Sequence, residues 1–156
     1  MRKSTLLFLI KKDGDTITDI CLAMKKRGFG VGRYNGAGGK VAEGETVEDA
    51  TKREVQEEIG VTILTMSPCA VLEFMFPHKE EWNQEVHVFL SDTWKGEPVE
   101  SEEMNPSWFS VDTIPYAKMW PDDSYWLPKV LDGKMVRGRF TFGEGDVILD
   151  SKVEIV

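Results

Sequence analysis

Two cysteines and two histidines among 156 residues exclude several kinds of chemistry at once. A disulfide framework needs more cysteine than this, so Cys21 and Cys69, both in predicted strands, are expected to be reduced core thiols. Neither they nor the histidines have the spacing of a zinc site. No apolar run approaches the roughly 18 to 20 residues that cross a bilayer. The apolar segment behind Met1-Arg2-Lys3 is too short, and lacks a cleavage site, to be a secretory signal. A cytoplasmic chain with no membrane partner is expected. Positive charge is scarce too, with 19 Lys and Arg against 27 Asp and Glu. A net charge of −8 argues against wrapping polymeric nucleic acid, whose affinity grows with cationic contacts to phosphate. It leaves a single nucleotide open, because a bound metal ion reverses the local sign.

The chain has no repeat, low-complexity tract or linker, so residues 1–156 read as one domain, expected to be a monomer, long enough to bury a core without staples. Thr5 to Ile10 is a continuous apolar run suited to a strand buried on both faces. Asp13-Gly14 lies in a turn, and Ile20 to Met24 returns as the partner strand. Lys25 to Lys40 then carries glycines and basic residues in a density that prevents long regular structure. Either it is a flexible surface connection, or its glycines bring backbone close to a ligand whose phosphates meet Lys25, Lys26, Arg27 or Lys40. Its place directly before an acid-rich helix favours the second. Phe29 is suited to lining a base pocket, and Asn35 offers both donor and acceptor to a base edge.

The helix begins at Thr46, where Asp49 completes a reasonable capping box, and stops at Gly60, which enters the left-handed conformation cheaply. With Val47 as origin, Ala50, Glu54, Glu57 and Glu58 fall at about −60°, −20°, −80° and +20°. Glu54 and Glu58 thus share the arc where an amphipathic helix buries apolar groups. A wetted acidic face with ion pairs accounts for Glu48 and Asp49, but poorly for these two. Inward carboxylates need partners, and Arg53 is expected to satisfy one neighbour only. A hard divalent cation, magnesium or manganese, would satisfy several.

Further on, Val61 to Thr65 and Ala70 to Phe76 read as strand material broken at Ser67-Pro68. Pro77 to Gln84 reads as a polar loop and Glu85 to Ser91 as a strand in which His87 makes a local hydrogen bond. Lys95 to Met104 is acidic and turn-rich, Ser107 to Ser110 a short strand, and Val111 to Ile114 a helical turn. Pro121 can open a helix, where capping alone would account for Asp122 and Asp123. Met135 to Phe142 and Val147 to Val156 alternate as two final strands.

Gly39, Glu45 and the run Arg53 to Val61 match the Nudix box at each of its nine defined positions, a strong motif. The chain therefore resembles the Nudix hydrolases. That resemblance implies an α+β fold, an α/β/α sandwich with a mixed central sheet and helices on both faces. It also implies magnesium held by Glu54, Glu57 and Glu58, acids oriented by Arg53, and a loop shaped by Gly39 and Glu45, with Gly38, Gly39 and Lys40 expected against the substrate. By the same resemblance Glu103, outside the box, sits near the metal and helps activate water.

Met24–Gly36, Gly96–Ser101 and Met119–Trp126 further resemble the branch of the family that hydrolyses oxidised purine nucleoside triphosphates to monophosphate and pyrophosphate. There the counterparts of Thr5, Phe29, Asn35, Phe74, Trp120, Asp122, Asp123 and Trp126 line the base pocket, and adjacent buried aspartates sharing one proton would present donor and acceptor together. Ser4 and Gln84 depart from that branch, which has a tyrosine and a methionine there, and the first hairpin is longer. Other diphosphate-linked nucleosides, such as dinucleoside polyphosphates, ADP-ribose or a pterin triphosphate, stay open as substrates. A non-catalytic nucleotide-binding module would be expected to have lost box acids, and none is missing.

Overall fold

The computed structural model describes residues 1–156. Strand β1 (Arg2–Asp13) turns at Gly14, whose φ is +62°, into β2 (Thr16–Lys25), giving the expected hairpin. After the glycine-rich segment, in which only β3 (Tyr34–Asn35) is regular, comes helix α1 (Val47–Ile59). Then follow β4 (Thr62–Met75), β5 (Gln84–Lys95), β6 (Met104–Ser110), helix α2 (Asp123–Leu131), β7 (Val136–Phe142) and β8 (Ile148–Ile155). They form a mixed sheet of order β3-β2-β1-β5-β4-β7-β8, with β6 also paired to β2. The β1–β5 and β4–β7 pairs are parallel and the others antiparallel.

Alternation along β1 decides which core each residue serves, since successive side chains point to opposite faces. Leu7 and Leu9 pack with Val55 and Ile59 of α1, whereas Phe8 and Ile10 pack with Trp126, Leu127 and Val130 of α2. The helices therefore cover opposite faces, as expected of the α+β sandwich. The same alternation separates the cysteines: Cys21 lies in the α1 core and Cys69 in the α2 core. Both are free, and burial pushes each thiol up to about 12.

One strand differs from expectation. Ser67-Pro68 does not break β4, which runs through Pro68 with register shifts on either side. Pairing to β7 starts only at Ala70, so Pro68 occupies a stretch that is an edge on that side, where a missing N–H leaves no ladder bond unmade. Bulges absorb the extra residues.

Helix α1 has the ends its sequence specifies. The Thr46 hydroxyl accepts from the Asp49 N–H, and Gly60 adopts φ +75° with its N–H on the Gln56 carbonyl. The acidic loop before β6 docks on the same end: Val99 N–H donates to Ile59 O, and the Ser101 hydroxyl to Glu58 O. Carbonyls that a helix C-terminus leaves unpaired are thereby satisfied. Thr46→Ala is expected to lower unfolding free energy by about 1 kcal/mol. Urea denaturation measures it, and an unchanged midpoint would show that the cap does not hold the helix start.

Candidate active site

Helix α1 sorts its acids by depth. Val55 and Ala50 are fully buried, and the same face carries Glu58 inward at 5% exposure. The Glu54 side chain is 17% exposed, while that of Glu57 reaches 59%. The expectation that Arg53 satisfies a single neighbour is incorrect. Its guanidinium fans over Glu45 at 2.8 and 3.0 Å, Glu54 at 2.8 Å, Glu57 at 3.4 Å and the Lys40 carbonyl at 3.1 Å. A planar fork with five donors can serve several acceptors at once. Glu45 is held down at about 2 by that bond, aided by the Ala42 N–H.

Glu58 is the acid that Arg53 does not reach. It accepts from the Gly38 N–H at 2.7 Å and lies 3.9 Å from Lys25 Nζ. Burial pushes it up to about 7, against the pull of the Gly38 N–H and Lys25, with Glu54 and Glu103 adding repulsion. Glu103 faces it across Lys25, held by Arg27 Nε at 2.8 Å and Lys25 Nζ at 3.3 Å and depressed by those bonds. Glu54, Glu57 and Glu58 are not gathered around one point. The donor set nonetheless fits a hard divalent cation: the groups are carboxylates, and the buried Glu58 charge has only a lysine and one amide for relief. Gly39 completes the cradle, since a Cβ there would stand 2.5 Å from the Glu54 carboxyl carbon.

Two glycines of the preceding loop are needed for packing: a Cβ at Gly36 would fall 2.6 Å from the Leu7 carbonyl oxygen. A Cβ at Gly38 would fall 1.9 Å from the Thr5 carbonyl oxygen, because the loop is pinned to β1 by Thr5 N–H on Gly39 O and a reciprocal Leu7–Ala37 pair. The segment is thus anchored backbone, not a loose connection. Its basic residues divide. Lys26 binds Glu100 and the Ser101 carbonyl, and Arg27 binds Glu102 and Glu103, so both hold the acidic loop. Lys25 and Lys40 line the cavity described next.

That cavity, about 470 Å³, runs from Glu58, Gly38 and Gly39 along the α2 face of the sheet. Phe29, Asn35, Phe74, Trp120, Asp122, Asp123 and Trp126 all line it, as do Ser4 and Gln84. Thr5 borders it, but its hydroxyl is engaged with that of Thr51 on α1. Asn35 Oδ1 accepts from the Gly36 N–H, which leaves its amide nitrogen for a ligand. Phe29 packs 5.0 Å from Trp120 and 5.2 Å from Trp82, and Phe74 stacks on Phe140. Glu103 of the acidic loop does not line the cavity; it contacts Lys25, which does.

Asp122 and Asp123 are 2% and 3% exposed. Asp122 stands at the N-cap of α2 yet makes no capping bond; its Oδ2 instead accepts from Trp126 Nε1 at 2.8 Å. Oδ2 of Asp123 is buried without a partner. Burial pushes Asp122 up to about 6, and burial with the neighbouring charge pushes Asp123 well above its ordinary range, while Arg33 pulls both down. Burial and the repulsion of the neighbouring carboxylate thus both act against a second ionisation in the pair.

Sequence reasoning missed Arg33, whose guanidinium lies 4.2 Å over the Trp120 ring and binds Asp146 at 2.9 Å. It also missed Trp82 and Phe76 on the wall and Arg2 on the floor. Trp82 sits in a short 3₁₀ turn inside a polar loop, where no periodicity marks it.

The NUDIX domain model matches residues 1–130. Over 130 residues the chain is 51% identical to the oxidized purine nucleoside triphosphate hydrolase of Mus musculus, covering 83% of each chain. Over 137 residues it is 46% identical to the enzyme of the same name from Danio rerio, covering 88% of this chain and 87% of that one. A MutT protein crystal structure from Bacillus halodurans superposes with a TM-score of 0.84 at 22% identity, covering 99% of this chain and 98% of the other, a likeness of fold. On that coverage and identity, this chain belongs to the Nudix hydrolase family.

Proposed function

We propose that this chain hydrolyses oxidised purine nucleoside triphosphates, 8-oxo-dGTP and 2-hydroxy-dATP among them, to monophosphate and pyrophosphate, and so sanitises the nucleotide pool. The observation that carries the reading is a buried pair of adjacent aspartates lining an aromatic cavity that also takes in the Glu58 carboxylate. A flat purine suits aromatic walls with few polar groups at its edge. Ionised Asp122 accepts from an amino or ring N–H, and protonated Asp123 can redirect its proton to a ring nitrogen or carbonyl. One pair can therefore meet the different edges of oxidised guanine and oxidised adenine. The names of the mouse and zebrafish relatives support the same substrate class.

Nudix hydrolases use divalent metal cations, and Mg²⁺, with Mn²⁺ as a substitute, is the ion proposed here. Glu54, Glu57 and Glu58 would hold it; when bound, it neutralises phosphate charge and acidifies the attacking water. Arg53 keeps Glu54 and Glu57 in place, Lys25 meets phosphate, and Glu103, beside Lys25, accepts the proton that water loses. Gly38 and Gly39 offer backbone at the phosphate end, with Lys40 at the rim. The whole chain works as one unit on this reading, since a single sheet runs from Arg2 to Ile155, and a monomer is the state proposed.

Glu58→Gln is expected to cut turnover of 8-oxo-dGTP more than about a hundredfold with the fold intact by circular dichroism. Chelation should abolish activity, and added Mg²⁺ restore it. Full activity of Glu58→Gln in magnesium would overturn the ligand assignment. Asp122→Asn and Asp123→Asn should shift the ratio of 8-oxo-dGTP to 2-hydroxy-dATP hydrolysis, with the Mg²⁺ dependence unchanged. Equal ratios in wild type and both variants would exclude the pair from base recognition.

The pair also fixes a pH dependence. Each carboxyl is raised above its unfolded value near 3.8. The folded state therefore binds more protons than the unfolded one between that value and the folded pKa. Stability is lost as pH climbs through this window, fully for Asp122 once pH passes about 6. The titratable groups facing the pair include Arg33, from the glycine loop, and Tyr116, raised by burial and by Asp123. Asp123→Asn is thus expected to raise the melting temperature, by more at pH 8 than at pH 5. A gap that narrows with rising pH would contradict the shared proton.

A further inference from the structure

The floor of the cavity has a second polar end that the aspartates do not account for. Arg2, Ser4 and Leu6 occupy alternate positions of β1, and Leu6 packs with the α2-side core, which places all three on the face that carries the cavity. Gln84 begins the neighbouring parallel strand, level with Arg2. The Ser4 hydroxyl, only 7% exposed, donates to Gln84 Oε1 at 2.7 Å. The Gln84 amide nitrogen has no hydrogen-bond partner in the protein, and its oxygen retains one lone pair. Beside it Arg2 Nε is buried without a partner. In a protein of net charge −8, this end of the floor offers donors that no protein acceptor meets.

The two polar groups of the cavity stand beside different stretches of β1. Asp122 is held by Trp126, whose indole packs on Phe8, and Phe8 lies four residues beyond Ser4 on the same face of β1. The strand rise puts the backbones of Ser4 and Phe8 about 13 Å apart. A bicyclic base whose Watson–Crick edge meets the aspartates turns its five-membered ring toward Gln84. In unmodified guanine that ring shows a nitrogen lone pair at N7 and a C–H at C8. Oxidation at C8 replaces them with N7–H and C8=O side by side, an amide-like edge. A carboxamide is complementary to it: the amide N–H donates to O8, and Oε1 accepts from N7–H.

We propose that Gln84, oriented by Ser4, reads the N7–H and C8=O edge directly and sets the preference for 8-oxopurines over unmodified ones. The inference rests on the proposed substrate class and deepens it. Ser4 is a positioning residue: by donating to Oε1 it fixes which end of the amide is oxygen and keeps the nitrogen free. Arg2 closes the floor behind the pair and favours a ligand that brings oxygen acceptors.

The test compares wild type, Gln84→Met, Ser4→Ala and the double variant in two measurements. Calorimetric binding of 8-oxo-dGMP and dGMP reads the pocket without turnover, and kcat and KM for 8-oxo-dGTP, dGTP and 2-hydroxy-dATP read it with turnover. Gln84→Met is expected to lower the 8-oxo-dGMP to dGMP affinity ratio by about tenfold or more. The loss should appear in KM for 8-oxo-dGTP and be smaller for 2-hydroxy-dATP, whose N7 carries no hydrogen. Ser4→Ala should lower the ratio partway, and add nothing in the Gln84→Met background. An affinity ratio unchanged in Gln84→Met overturns the proposal and leaves the hydrolase reading standing. Equal losses from Ser4→Ala in both backgrounds overturn the positioning role. Wild-type protein that cleaves no oxidised triphosphate overturns the hydrolase reading, and the binding ratios then decide the pocket's chemistry by themselves.

Discussion

The site depends on how closely the backbone of Ala37 to Gly39 is laid against β1. Hydrogen bonds from Thr5 and Leu7 to this segment leave no room for a side chain at Gly38, and at Gly39 the Glu54 carboxylate fills the space a Cβ would need. Three consequences follow from one close approach. The Gly38 N–H is aimed at Glu58, the loop ahead of it is held as a wall of the base cavity, and helix α1 is brought up with its acids facing inward. Strand β1 pairs with this segment along Ser4 to Leu7 and with β2 only from Ile10 onward. The sheet is therefore parted where a ligand needs access to both the acids and the apolar floor.

Electrostatics divide the same space into zones. Around the box helix, Arg53 gathers Glu45, Glu54 and Glu57 into an ion-pair array that is partly open to solvent, where each pair alone is worth little but the fan fixes geometry. Glu58 stands outside the fan, buried and pushed up to about 7, so a cation beside it would favour its ionised form. In the aspartate pair, burial and mutual repulsion both disfavour a second ionisation. Arg33, stacked on Trp120 and tied to Asp146, adds a positive charge that pulls both aspartates down.

How much of this could be read from the chain varies with the range of the interaction. Helix α1, its caps and the inward turn of Glu54 and Glu58 follow from spacing alone, and the first hairpin and the final strand pair were equally plain. Position in sequence also identified the lysine-rich glycine segment as part of the site. Apart from what the family resemblance implied, the features that escaped join segments that are not neighbours in sequence. Arg53 reaches a glutamate eight residues away, Arg33 meets an aspartate more than a hundred residues on, and Ser4 meets Gln84 across two strands. Pro68 misled for a related reason, since whether a proline ends a strand depends on whether that side is an edge.

The separation of Cys21 and Cys69 onto opposite faces of the sheet matters for a protein that meets products of oxidative damage. Peroxide attacks thiolate, and a thiol pushed up to about 12 supplies almost none of it at neutral pH. With the sheet between them, the two sulfurs also lack each other as a resolving partner. The conditions that generate its proposed substrates therefore find no ready sulfur target in either cysteine.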